Sequence, residues 1–194
     1  MLRRSHLTVA FASLAASLQA ADAGLVSTNS MTLWSTRVAN AGLAVAAQGF
    51  SGLDGSYAQI SGVAGGVAWS ANAVDVSGGI ARSATGNSLT FSFTPGVKFV
   101  AGSFFGVGAD FAVVPASFTV SLNGGGGFTG FASDANGFVG FSVTGDATIS
   151  SLTVTAGVGS AFAAVDSLYF GVPAPGAISL VAAAAVIATN SRRR

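Results

Sequence analysis

The amino-acid sequence predicts an all-β protein, an antiparallel β-sandwich of jelly-roll-like form between an N-terminal signal peptide and a short C-terminal transmembrane helix. Three observations predict it. Short runs in the middle of the chain alternate apolar residues with Ser and Thr. Clusters of Gly, Asn, Asp and Ser separate those runs. Each end carries an uncharged apolar stretch flanked by arginines. Composition agrees. Of 194 residues, 51% are hydrophobic and 8% charged, with 27 Gly, 15 Phe and no Cys, and all seven acidic residues are Asp. So little charge and so much Phe exclude a disordered chain. The absence of Glu argues against a helical or coiled-coil protein. The length fits one domain with a substantial core.

The first element is the leader. Arg3 and Arg4 precede an apolar run that begins at Leu7, and Ala21-Asp22-Ala23 satisfies the small-x-small rule for cleavage before Gly24. A basic start, an apolar stretch and small residues at the cut are the parts of a secretory signal, placed at residues 1–23. His6, the only histidine, lies within it.

Residues 24–171 form the predicted β domain. Leu89, Phe91 and Phe93 alternate with Ser88, Thr90, Ser92 and Thr94. Phe118, Val120 and Leu122 alternate with Ser117, Thr119 and Ser121, and Leu152, Val154 and Ala156 with Ser151, Thr153 and Thr155. Period two with one apolar face is the signature of a half-buried strand, and one-sided burial implies antiparallel pairing. Val139, Phe141 and Val143 continue the pattern, and residues 32–38, 67–76, 104–113 and 161–170 are further candidate strands. Asn123-Gly124 opens a glycine-rich tip, and Asp134-Ala135-Asn136-Gly137 is expected to join residues 130–132 to 138–143 as a tight hairpin. Strands about ten residues apart with turns between them point to a sandwich rather than to βαβ units.

The last 23 residues, 172–194, read as a third segment. Val172-Pro173-Ala174-Pro175-Gly176 stops the preceding strand. Residues 177–188 are apolar, with one Ser and no charge, and the chain closes on Arg192, Arg193 and Arg194. As a helix, twelve residues span roughly 18 Å, short of the ~30 Å hydrocarbon core. The terminal arginines favour a membrane stop, because Arg remains on the cytoplasmic side and reaches the interface. Pro-x-Pro, a short apolar helix and an Arg cluster in this order resemble the C-terminal sorting signal of PEP-CTERM proteins. Ala174 stands where that family's usual motif has Glu. The resemblance implies a transiently membrane-held precursor, recognised and processed at the motif by an exosortase, an integral-membrane cysteine enzyme. The stretches Phe104–Phe111, Gly137–Phe141 and Ala163–Gly171 resemble the jelly-roll bodies common in the same family, which implies a fold and a surface role but no reaction.

Several function classes fall away. Without Cys there are no disulfides, thiol nucleophiles or Cys-ligated zinc sites. With His6 in the leader, residues 24–171 hold no His, Cys or Glu, which removes Ser-His-Asp and His-based zinc chemistry. Arg37, Arg82 and Lys98 against six aspartates leave this segment at −3, with no electrostatic footprint for nucleic acid. The glycines at 124–127 lack the Lys of a phosphate loop. No spacing of Asp favours a glycosidase pair, so no enzyme is expected. Asp166 is the most informative acid. With Phe162, Ala164, Leu168 and Phe170 it is expected on an apolar face, where a carboxylate needs backbone amides, an Arg or a structural Ca2+. Asp134, Asn136 and Gly137 are read as a hairpin tip before a calcium loop. Trp69, Tyr57 and Tyr169 are expected to pack in or around the core, and Trp34 is left open between packing and sugar stacking.

These readings converge on an exported, non-catalytic protein of the cell surface or extracellular matrix, structural or adhesive, with no required cofactor. Its expected partners are the secretion machinery, the inner membrane and an exosortase-type enzyme. The alternative is a lectin-like module bound to exopolysaccharide and holding a structural calcium.

Overall fold

A computed structural model describes residues 24–123, 125–157 and 161–174. Along them run β1 (Leu25–Thr28), α1 (Met31–Asn40), β2 (Leu43–Gly49), β3 (Gly55–Ala64), β4 (Val67–Ser77), β5 (Ile80–Ser83), β6 (Ser88–Val97), β7 (Phe99–Val107), β8 (Val113–Val114), β9 (Ala116–Leu122), β10 (Gly125–Ala132), β11 (Phe138–Val143), β12 (Ile149–Ala156) and β13 (Phe162–Pro173). The leader with Ala21 and Ala23, and the tail with Pro175, Gly176 and Arg192–Arg194, lie outside the described residues. Among the described residues no helix is long and apolar enough to cross a membrane.

Every strand pairing is antiparallel. Neighbours follow the order β1-β11-β7-β13-β5-β4-β6-β12-β9-β10, with β2 added to β13, β3 to β4 and β8 to β7. The short β5 is the joint. It bonds β13 through Ala81 and Arg82, and β4 through Ile80–Ser83. On either side of it the sheet forms two arms, and β7 and β13 of one lie over β6, β9 and β12 of the other. Phenyl rings fill the space between them. Phe93 meets Phe170 edge-on at 5.3 Å, and Phe104 faces Phe118 at 6.4 Å. The alternation expected in β6, β9 and β12 holds, with Leu89, Phe91, Phe93, Phe118, Val120, Leu152 and Val154 all buried. The ends of the strand order, β1 and β10, come side by side. A Cβ placed on Gly126 would lie 3.6 Å from Leu25 Cδ2. The sheet thus nearly closes on itself.

Residues 32–38 are helical, not a strand. Ser30 caps the helix, its hydroxyl accepting from the Leu33 N–H at 3.3 Å. Trp34 and Val38, four residues apart, are its buried positions. The Thr36 hydroxyl donates back to the Thr32 carbonyl at 2.8 Å, which satisfies a polar group within the helix. The apolar period is therefore helical, and the helix buries that stripe on the outside of one arm. Trp34, Val38 and Ala101 form a second small core there, ringed by Leu43, Phe99, Phe138 and Tyr169.

Three further expectations are corrected. Residues 104–113 are not one strand. A turn at residues 108–112 separates β7 from β8, closed by the Gly108 N–H to the Ala112 carbonyl at 2.9 Å, with Phe111 at φ 64°. Residues 134–137 do not form a hairpin, since β10 pairs with β9 while β11 pairs with β1 and β7. The segment carries the chain from one arm to the other. The face expected to unite Phe162, Ala164, Asp166, Leu168 and Phe170 is broken by a bulge. Val165 pairs with Phe104 but Leu168 with Gly102, so β13 holds one extra residue. The extra residue puts Ala163 and Val165, not Phe162 and Ala164, in phase with Leu168 and Phe170. Asp166 sits in the bulge, half-buried.

Candidate functional site

The outward positions of the second arm form an uncharged hydroxyl surface. Because β6, β9 and β12 each bury their apolar residues inward, their Ser and Thr residues point outward, and strand register aligns these into rows. One row crosses four strands as Ser61, Ser70, Ser92 and Ser151. The next is Thr90, Thr153 and Ser121, and a third is Ser88, Thr155, Thr119 and Thr129. Hydroxyls bond along the rows: Ser88 to Thr155 at 2.8 Å, Thr90 to Thr153 at 2.8 Å, and Thr119 to Thr129 at 3.1 Å. Rows of this kind repeat at about 4.8 Å between strands and about 7 Å along them. No Asp, Lys or Arg occupies an outward position of β6, β9, β10 or β12 between these rows.

At the β10 border this surface meets a cleft. β10 pairs with β9 on one side, and its other edge faces the gap toward β1 and β11. The gap widens into a cleft of about 340 Å3 lined by Asn29, Phe128, Phe131, Asn136, Gly137 and Phe138, among others. Phe131 is 67% exposed, the most exposed aromatic side chain described. It is in phase with Thr129 and opposite Ser117, so it belongs to both cleft and hydroxyl surface. Asn136 is held by its backbone: its N–H donates to the Asp134 carboxylate at 3.0 Å, and its carbonyl accepts from the Phe138 N–H at 2.7 Å. Next to it, the Gly137 carbonyl accepts from the Phe104 N–H at 2.9 Å. A Cβ on Gly137 would overlap the Phe104 carbonyl oxygen, which explains the glycine. The side-chain amides of Asn29 and Asn136 are exposed and have no hydrogen-bond partner among the described residues.

The electrostatic centre of the fold lies elsewhere. Arg82 on β5 stacks between Phe111 and Phe162, 4.2 and 4.6 Å from their centroids. It donates to the Gly108 and Ala109 carbonyls at 2.9 Å each, and to the Asp75 carboxylate at 3.2 Å. The Ser56 hydroxyl donates to Asp75 at 2.7 Å. That bond first, and the Arg82 guanidinium behind it, hold the Asp75 carboxyl below its ordinary 3.8 against the opposing effect of burial. This clamp ties β3, β4, β5, the 108–112 turn and the start of β13 together.

The residues singled out in the sequence are distributed as follows. Trp34 is fully buried, its indole N–H donating to the Phe141 carbonyl at 3.1 Å. Trp69 is also buried and donates to the Gln48 amide oxygen at 3.0 Å. Tyr57, half-buried, donates to the Leu53 carbonyl at 2.9 Å, and Tyr169 packs against Trp34 and Phe138. None of the four is a free stacking surface. Four aspartates have local partners: Asp54 accepts from the Gly78 N–H, Asp75 from Ser56 and Arg82, Asp110 from the Ala112 N–H, and Asp134 from the Asn136 N–H. Among the described residues no three carboxylate or imidazole side chains gather at one point, at Asp166 or elsewhere. Gly24, after the expected leader, is tied to Thr144 at both its N–H and its carbonyl. Val172 and Pro173 belong to β13, paired with Ala44 and Leu43, so the folded body runs past the expected boundary at 171. Phe131 was not among the expected functional residues, although its phase with Thr129 marks an outward position. Comparison with protein-family models, curated proteins and solved structures finds no match for this chain.

Proposed function

We propose that this chain is an exported, non-catalytic protein of the cell surface or extracellular matrix, structural or adhesive in role. The observation that carries the reading is the uncharged hydroxyl surface of β6, β9, β10 and β12, together with the rows that extend it onto β3 and β4. Such a surface can bond to hydroxyl-rich material and to water without charge selectivity, which suits a matrix component. The body, read as a jelly-roll-like sandwich, is delivered by its ends. The leader engages the secretion machinery. The apolar run 177–188 then holds the precursor in the inner membrane, with Arg192–Arg194 as the stop. An exosortase-type enzyme processes it at the Pro173-Ala174-Pro175-Gly176 motif. Because Pro173 is still paired with Leu43, a cut after Pro173 keeps the whole β13–β2 ladder, whereas a cut at Val172 removes only its last pairs.

Fractionation of the producing cells tests this reading. The wild-type chain is expected outside the cytoplasm, at the surface or in the matrix. A variant with Arg192, Arg193 and Arg194 replaced by Ala is expected to lose that distribution. Recovery of the wild-type chain from the cytoplasm with its leader intact would overturn it.

A further inference from the structure

We infer that the cleft between β10 and β11 is a binding subsite for a neutral polysaccharide, with Phe131 as its stacking platform. The inference rests on the surface role proposed above and names the ligand class. Phe131 presents an exposed ring at the border of the cleft. The C–H face of a pyranose stacks on such a ring, whose π face carries the negative end of the quadrupole. Asn29 and Asn136 line the same cleft, with amides that have no partner among the described residues. A carboxamide offers two donors and an acceptor, which suits a pair of neighbouring sugar hydroxyls. The volume of about 340 Å3 lies at the small end of the range for ligand sites, and fits one or two sugar units.

The surroundings favour a neutral polymer. Among the described residues no charged side chain lines the cleft, and the nearby Asp134 carboxylate would repel an anionic chain. Phe131 is opposite Ser117 and in phase with Thr129, so a sugar stacked on it lies at the end of the hydroxyl rows. A longer chain leaves the cleft directly onto Thr129 and Thr119, and each further unit meets hydroxyls rather than apolar surface. Affinity should therefore rise with chain length, and a single sugar should bind weakly.

The test is affinity electrophoresis of the purified full-length chain through gels containing dextran, barley β-glucan or xylan, with alginate as the anionic control. Sedimentation is run alongside, and a length series of gluco-oligosaccharides is titrated against the protein. At least one neutral polymer is expected to retard the chain and alginate is not. Phe131→Ala should weaken retardation at least tenfold, Asn136→Ala several-fold, and Phe131→Trp should retain it. Phe131 is exposed, so its replacement should leave the melting temperature within a few degrees, which separates lost binding from lost folding. Failure of every neutral polymer to retard the folded chain would overturn the inference. So would equal retardation of wild type and Phe131→Ala, or sedimentation showing that the free β10 edge instead joins two copies. All of these readings are made on purified protein, so the inference can fail while the fractionation result stands.

Discussion

Replacing Trp34 by Ala tests how the helix is held to the sheet. The indole is fully buried between α1 and the outer side of β7, β11 and β13, at 6.3 Å from Phe138 and 6.5 Å from Tyr169. Its N–H donates to the Phe141 carbonyl. The contact is close enough that a Cβ on Gly140 would stand 2.6 Å from the indole Cγ. Truncating a buried Trp costs about 3–5 kcal/mol, and the lost hydrogen bond is part of that total at about 1 kcal/mol. A loss near 4 kcal/mol is a large share of the ~5–15 kcal/mol that holds a domain together, and in a body of this size it lowers Tm by roughly 8–16 °C. Urea titration followed by far-ultraviolet circular dichroism measures it. Gly140→Ala, which crowds the same indole from the sheet side, should cost about 1–3 kcal/mol by overpacking. A Trp34→Ala loss below about 1 kcal/mol would refute the packing argument, because it would mean that the sheet does not depend on the helix that covers it.

Other predictions follow from the same contacts. Gly137→Ala should lower Tm sharply, because its Cβ meets the rigid Phe104 carbonyl rather than a movable side chain; a melt within about 2 °C of wild type would contradict that. Arg82→Lys should cost about 3 kcal/mol in a denaturant titration despite keeping the charge, since Lys cannot both stack between two rings and bond three oxygens. The Asp75 carboxyl titrates below its ordinary value in the folded state, so it binds fewer protons there than in the unfolded chain. Its stabilisation is complete above about pH 5, a unit over the ordinary value, and is lost as pH falls through the lowered folded value. Ser56→Ala removes the largest cause of the shift, so the fall in Tm between about pH 5 and pH 2 should be smaller in that variant than in the wild type.

What could be read in advance, and what could not, follows from the range of each signal. The strands at 88–97, 116–122 and 149–156 were legible because alternation is local and each bears a full set of Ser and Thr on one side. Trp34 was harder. Residues 32–38 mix hydroxyl and apolar side chains in a way that suits either period. The deciding features are the Ser30 cap and the four-residue step from Trp34 to Val38, together with the hydrophobic floor supplied by β7, β11 and β13. Turn chemistry at Asp134–Gly137 specifies a turn but not a hairpin, because Asn-Gly dictates a local bend and not the partner of the strand that follows. The bulge at Asp166 came from one extra residue against β7, which only the pairing reveals. Phe131 is inconspicuous in the sequence for a related reason: its phase is visible there, but only the gap between the two ends of the sheet turns an outward Phe into the wall of a cleft.

Export of the folded body, with trimming at both ends, is the step on which the proposed function depends. Intact-mass spectrometry of chain recovered from the extracellular or surface fraction tests it most directly. An N-terminus at Gly24 and a C-terminus at Pro173 to Gly176, leaving β13 paired with β2, is the expected result. Extracellular protein that still ends in Arg194 would contradict it.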